Sequence, residues 1–204
     1  MELTSSQTDA LTELINIGYA RAAAALSELT GHRISLEVPE VKIHLVPEMS
    51  ETLQRVIKGD VVSVNQVFSG PISGNALLLL DRPAAVLLNR LLTDRSERPE
   101  LDGAAREVIT EVGNVVLNAC IGAFGNLLKV QVTFTVPSIQ IESVQKVIRS
   151  ITVGGSELEY ALIIHTRFHV RDGDVSGYLM IILGVTSLET LLVELKKWED
   201  REMK

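Results

Sequence analysis

The sequence predicts an α/β (α+β) fold: a single pseudo-twofold-symmetric domain of two αβ repeats, with two long outer helices lying over a sheet. Three observations carry that prediction. Two Glu-x-x-Asn pairs, Glu13 with Asn16 and Glu111 with Asn114, each sit inside a long helical pattern and lie 98 positions apart. The same offset carries Pro39 onto Pro137 and Ile43 onto Ile141. Ser73-Gly74 then returns as Ser176-Gly177, 103 positions on, so the second copy holds about five more residues. Solenoids are built from more and shorter units; two long copies point instead to one domain covering 1–204. Repeat one spans about 5–92, the connector 93–102 and repeat two about 103–201.

Composition narrows the function classes. With 204 residues the chain is long enough for a sizeable core. Hydrophobic residues make up 46% and aromatics 4%, so that core is aliphatic. A net charge of −7 and the absence of any basic run disfavour nucleic acid or an anionic membrane as partner. The lone Cys120 forms no intrachain disulfide. The start, Met1-Glu2-Leu3-Thr4, lacks the basic and apolar blocks of a signal peptide. The apolar runs Ala76–Leu80 and Tyr178–Val185 fall short of the ~20 residues of a membrane helix. The expectation is a cytoplasmic protein.

The first element is a helix from Ser5 or Ser6 to Thr30, capped by Ser6 with Asp9 and stopped by Gly31. Leu11, Leu14, Ile15, Gly18, Ala22, Ala25 and Leu29 recur at helical spacing and define its apolar stripe. Asp9, Glu13, Asn16 and Ala20 form a second stripe, on roughly the opposite side, where residues three and four apart are neighbours. The small Ala20, Ala23 and Ala24 keep that surface low enough for another protein to approach. Strands follow at Arg33–Val38 and Val41–Val46, separated by Pro39-Glu40, then a short helix around Glu48–Ile57. Asp60–Phe68 and Asn75–Leu80 read as strands joined by the turn formers of Ser69–Gly74. Pro83–Leu92 reads as a helix, with Asp81 near its start and proline in its first turn.

After the polar connector, helix two begins at an Asp102 N-cap and runs to about Leu128. Val108, Ile109, Val112, Val116, Ala119, Cys120, Ala123 and Leu127 form its inward stripe; Glu107, Glu111, Asn114 and Asn118 form its outward one. Strands are expected at Val130–Val136, Ile139–Arg149, Glu159–Val170 and Gly177–Leu183. A closing helix from Ser187 to about Arg201 places Leu188, Leu191, Leu192, Leu195 and Trp198 on one face.

A Glu-x-x-Asn pair on a helix is ordinarily solvated surface. These two stand at one register of a repeat, off the apolar stripe, and each asparagine is followed by the same spacing to proline. Asp9-x3-Glu13-x2-Asn16-x22-Pro39 resembles the signature of the CheC family, phosphatases of the phosphorylated chemotaxis response regulator CheY, within the CheC/CheX/FliY superfamily. Glu111-x2-Asn114-x22-Pro137 matches it again, as do Asn16-Ile17-Gly18 and Ala25-Leu26-Ser27. The resemblance spans about Leu3 to Leu195, and two motifs per chain fit the CheC branch better than the one-motif CheX branch. Where family members often carry glycine this sequence has Ile15 and Ala20, though Gly113 keeps the pattern; the usual aspartate or serine is Asp9 in copy one but Glu107 in copy two.

The resemblance implies a mainly antiparallel sheet and a hydrolase of two-component signalling. It implies a catalytic set of Glu13, Asn16, Glu111 and Asn114: each asparagine inserts into a receiver's active site to position water, and each glutamate pairs with a receiver lysine. Asp9, Ala20, Glu107 and Asn118 flank these as partner-binding candidates. No cofactor or metal belongs to this chain; Mg2+ belongs to the partner response regulator. The deamidase-like CheD is a further partner known for the family, which no residue here selects. A carboxamide suits the task because it offers one acceptor and two donors and does not titrate. The alternative is a non-catalytic binding module, such as a flagellar-switch or adaptor relative that docks the phosphorylated receiver without turning it over.

Rival sites are weaker. His165 and His169 share a strand face without a third metal ligand in register. His32 and His44 are isolated, and Cys120 falls on an apolar stripe. Gly70–Gly74 lacks the Gly-Lys-Ser/Thr ending of a phosphate loop. Between the two copies, Gly113 and Asn118 are expected to make site two the more active, against the crowding of Glu107.

Overall fold

The computed structural model describes residues 3–46, 48, 53, 55, 57, 59–93, 101–129, 131–152, 158–170 and 173–202. Helix α1 (Ser5–Thr30) leads into β1 (Ile34–Leu45), then β2 (Asp60–Ser69), β3 (Gly74–Asp81) and helix α2 (Arg82–Thr93). The second copy comprises α3 (Gly103–Leu128), β4 (Thr133–Phe134), β5 (Ser138–Ser143), α4 (Val144–Thr152), β6 (Leu158–Val170), β7 (Gly173–Gly184) and α5 (Val185–Glu202).

Every described strand pairing is antiparallel, in the order β1-β6-β7-β3-β2, with β4 and β5 both on the far side of β2. The pseudo-twofold relation is visible in that order. At the centre Leu77 of β3 faces Met180 of β7, and the two lie 103 positions apart, the offset read from Ser73 and Ser176. Outward from that pair the copies exchange strands: β1 of copy one joins β6 of copy two, and β5 of copy two joins β2 of copy one. One sheet therefore serves both repeats.

Both faces of this sheet are covered, which explains why β3 is an unbroken apolar run. Leu78 and Leu80 point into a core shared with α1, α2, α3 and α5. Leu77 and Leu79 point the other way, into a smaller cluster with Val144 and Val147 of α4 and with Leu53. The long helices pack directly on each other. A Cβ at Gly18 would stand 2.9 Å from Cys120 Cα and 3.3 Å from Ala119 O, so glycine sets their close approach. The residues from 103 to 127 are long and apolar enough to pass for a membrane span, but more than half of that apolar stretch is buried in this core.

Several boundaries differ from the sequence reading. The cap of α1 is Thr4, not Ser6: its hydroxyl accepts from Gln7 N–H while Gln7 Oε1 accepts from Thr4 N–H, a reciprocal box. Gly31 does take the left-handed stop, at φ 71°. The two strands expected around Pro39 are one, since a register shift between Glu37 and Glu40 absorbs the proline. The short helix around 48–57 falls largely outside the described residues; Glu48, Leu53 and Arg55 are helical. The strand expected through Ile139–Arg149 ends at Ser143 and turns into α4. Val144 and Val147, three apart, are both buried, which a strand would have placed on opposite faces. Of the connector, residues 94–100 lie outside the described set.

Across β1, β6 and β7 a histidine bridges two carboxylates. His169 Nδ1 lies 2.6 Å from Asp174 Oδ1 and Nε2 lies 3.1 Å from Glu37 Oε1, with Arg167 3.8 Å from Glu37. The hydrogen bond to Asp174 first, then Glu37, raises the imidazole's pKa above its usual value against a smaller opposing effect of desolvation. A raised folded-state pKa stabilises the fold fully below the unfolded value of about 6.5 and ceases to do so as pH climbs through the higher folded value. The expected result is a melting temperature that falls more on going from pH 6 to pH 8 in wild type than in His169→Gln. Parallel pH profiles for the two proteins would remove the histidine from that role.

Candidate functional site

Helix α1 presents Asp9, Glu13, Asn16 and Ala20 to solvent, all exposed, while Ala10, Leu11, Leu14, Ile15, Gly18, Tyr19, Ala22 and Leu26 turn inward. The inward register is fixed by its largest buried side chain: Tyr19 is 1% exposed and its hydroxyl bonds Thr166 Oγ1 of β6. Following that register, the end of the stripe shifts by one residue. Leu26 is buried, whereas Ala25 is exposed and Leu29 is 61% exposed, both contrary to the sequence reading.

On α3 the corresponding face carries Glu107 and Glu111, both exposed, and Asn114 and Asn118, both half-buried. The end of α1 (Leu26, Leu29) shares a groove with Glu107 and Glu111, and the start of α1 (Leu14, Ile17) shares one with Ala123 and Leu127. The two helices therefore run antiparallel side by side. Their motifs lie toward opposite ends of the pair, each beside a groove.

The two asparagines are not in the same state. Among the described residues the Asn16 side chain makes no hydrogen bond. Asn114 Oδ1 accepts from Asn118 Nδ2 at 2.8 Å and lies 3.5 Å from Gln66 Nε2 of β2. Gln66 in turn donates to Thr135 O at 2.9 Å. The glutamine escaped the sequence reading, although the signal was there: it is a polar residue in the expected strand Asp60–Phe68 that proves only 3% exposed, and buried polar groups require partners.

The features expected to favour site two serve other purposes. Gly113 is buried, and a Cβ there would come within 2.6–2.9 Å of the Val64 side chain, so its smallness seats α3 on β2 and offers nothing to a partner. Ile15, its counterpart, is fully buried too. Asn118 turns to its own chain.

Among the described residues no three His, Cys, Asp or Glu side chains gather as a metal site would require. Glu37 and Asp174 approach opposite nitrogens of His169, so that trio does not converge on one point. His165 lies against Tyr178, with ring centres 5.3 Å apart. Cys120 is fully buried, and burial pushes its thiol pKa up, away from any nucleophilic role.

The profile of the CheC-like family matches residues 7–43, the stretch holding Asp9, Glu13, Asn16 and Pro39. A curated protein named CheY-P phosphatase CheC, of Bacillus subtilis, is 24% identical over 204 residues, covering 95% of each chain. Over residues 7–43 the chain is similar to the CheC-like family. Among solved structures, Thermotoga maritima FliY superposes with a TM-score of 0.79 at 19% identity, covering 97% of this chain and 99% of that one. The FliM middle domain of Helicobacter pylori does so with a TM-score of 0.66 at 10% identity, covering 94% and 99%. The fold is thus shared with FliY and with the FliM middle domain.

Proposed function

We propose that this chain hydrolyses the aspartyl phosphate of a CheY-like receiver domain in cytoplasmic chemotaxis or related two-component signalling. The observation that carries the reading is the outward placement of Glu13 with Asn16, repeated by Glu111 with Asn114, on helix faces that the core does not dictate. The relationship to a protein named CheY-P phosphatase supplies the substrate class.

The aspartyl phosphate is an activated acyl phosphate, so the demand on the enzyme is placement. Catalysis of phosphoryl transfer is mostly positioning and charge stabilisation. In this reading the asparagine carboxamide accepts a hydrogen bond from water and donates to a phosphoryl oxygen, aligning the water with the scissile P–O bond. The new P–O bond forms as the bond to aspartate breaks, leaving a free carboxylate and dihydrogen phosphate that keeps both of the water's protons. The exposed glutamates hold the dock by pairing with a receiver lysine. Mg2+ belongs to the receiver, where it offsets phosphoryl charge.

The likeness to FliM and FliY folds favours a second reading, in which the chain docks a phosphorylated receiver and does not turn it over. Decay of a phosphorylated CheY-like receiver separates the two. Acceleration by substoichiometric protein is the expected result; protection or no change makes the chain a binder.

The docking role makes its own prediction. Glu13→Lys with Glu111→Lys sets like charge against the receiver's lysine, and affinity for a beryllofluoride-loaded receiver is expected to fall at least about tenfold. An unchanged titration would remove the glutamates from the dock.

A further inference from the structure

Resting on the phosphatase reading, we propose that site two is held shut by this chain's own carboxamides, and that turnover in the free protein runs through site one. Asn118 and Gln66 are the positioning residues of the lock, acting through Asn114.

The polarity of the cluster follows from one fixed end. Thr135 O is a backbone carbonyl and only accepts, so the Gln66 atom 2.9 Å from it is the donating Nε2. Thr135 is itself immobilised on β2: its N–H donates to Val67 O at 2.9 Å, and Val67 N–H donates to its hydroxyl at 3.0 Å. The Asn114 atom facing that NH2 group is then the acceptor Oδ1, and Asn118 Nδ2 completes the pair of donors aimed at it. A carbonyl oxygen has two lone pairs. With both addressed from inside, Asn114 retains donors for a phosphoryl oxygen but no acceptor to orient water.

Among the described residues site one has no counterpart to this arrangement. The position equivalent to Asn118 is Ala20, exposed and without a polar group, and Asn16 is exposed, so its oxygen is open to water. The lock is also breakable. Gln66 Oε1 and Asn118 Oδ1 are buried without partners among the described residues, so the closed arrangement is not fully satisfied. Opening it costs little more than the Asn118 bond. An ordinary hydrogen bond of this kind corresponds to a rate factor of roughly 2–10.

The test isolates site two in the Asn16→Ala protein and measures steady-state dephosphorylation of the receiver. Adding Asn118→Ala is expected to raise kcat about 2- to 10-fold with KM little changed, and the gain must vanish once Asn114→Ala is added. The reciprocal change, Ala20→Asn in the Asn114→Ala protein, installs a donor one turn beyond Asn16 and is expected to lower kcat. If wild type accelerates decay but Asn118→Ala leaves the Asn16→Ala protein unchanged or slower, the lock is refuted and the phosphatase reading stands. A wild type that does not accelerate decay overturns the reading and the lock together.

Discussion

Replacing both Asn16 and Asn114 by alanine is expected to lower the catalysed rate of receiver dephosphorylation by about 100- to 1000-fold, the usual cost of removing a positioned polar group from a reacting centre. Asn16 is exposed and Asn114 half-buried on helix surfaces whose inward faces carry the core, so the doubly substituted protein should fold and melt much as wild type does. The single variants should not share the loss equally. The sequence asymmetry at Gly113 and Asn118 favours site two, but both features turn out to serve the chain's own packing. The geometry reverses the order: Asn16→Ala should remove most of the activity and Asn114→Ala the smaller part. Near-native turnover in the double variant would refute the proposed mechanism; a larger loss from Asn114→Ala would refute the ordering.

Gly18→Leu is expected to be the most damaging single substitution on the site helices. Its Cβ would meet the backbone of α3, 2.9 Å from Cys120 Cα, and backbone cannot rotate aside as a side chain can. Overpacking of this kind costs up to about 3 kcal/mol, which lowers the melting temperature of a domain this size by roughly 6–12 °C. Gly122→Leu on α3 is the matched control, because a Cβ there meets nothing within 4 Å and a better helix former replaces glycine. Thermal melts of equal midpoint for the two variants would show that the helix contact is looser than described.

What the sequence revealed was whatever periodicity encodes. The offset of 98 positions exposed the repeat, and the helical spacing of Leu11, Leu14 and Ile15 placed Glu13 and Asn16 on the outside. What escaped depends on contacts distant in sequence. Val144–Arg149 looked like an extension of its strand because valine and isoleucine favour strands; its helical form is imposed by the second sheet face, into which Val144 and Val147 pack. Gln66 lies 48 residues from Asn114, and no local pattern joins a strand glutamine to a helix asparagine. Leu29 looked buried by spacing, yet the register set by Tyr19 and Leu26 leaves it at the rim of the groove beside Glu111.

The exchange of strands between the copies has a consequence for how the chain comes into being. Among the described residues strand β1 pairs only with β6, with Ile34 set against Val170, so its partner is made after the first half of the molecule has left the ribosome. The β2–β3 hairpin can form early, but its outer edge waits for β5 of the second half. Pairings so distant along the chain close slowly, because loop entropy is lost before contacts repay it. Closure of the sheet therefore waits for the second half of the chain. A truncation between the repeats is expected to leave two open-edged fragments prone to pair with one another.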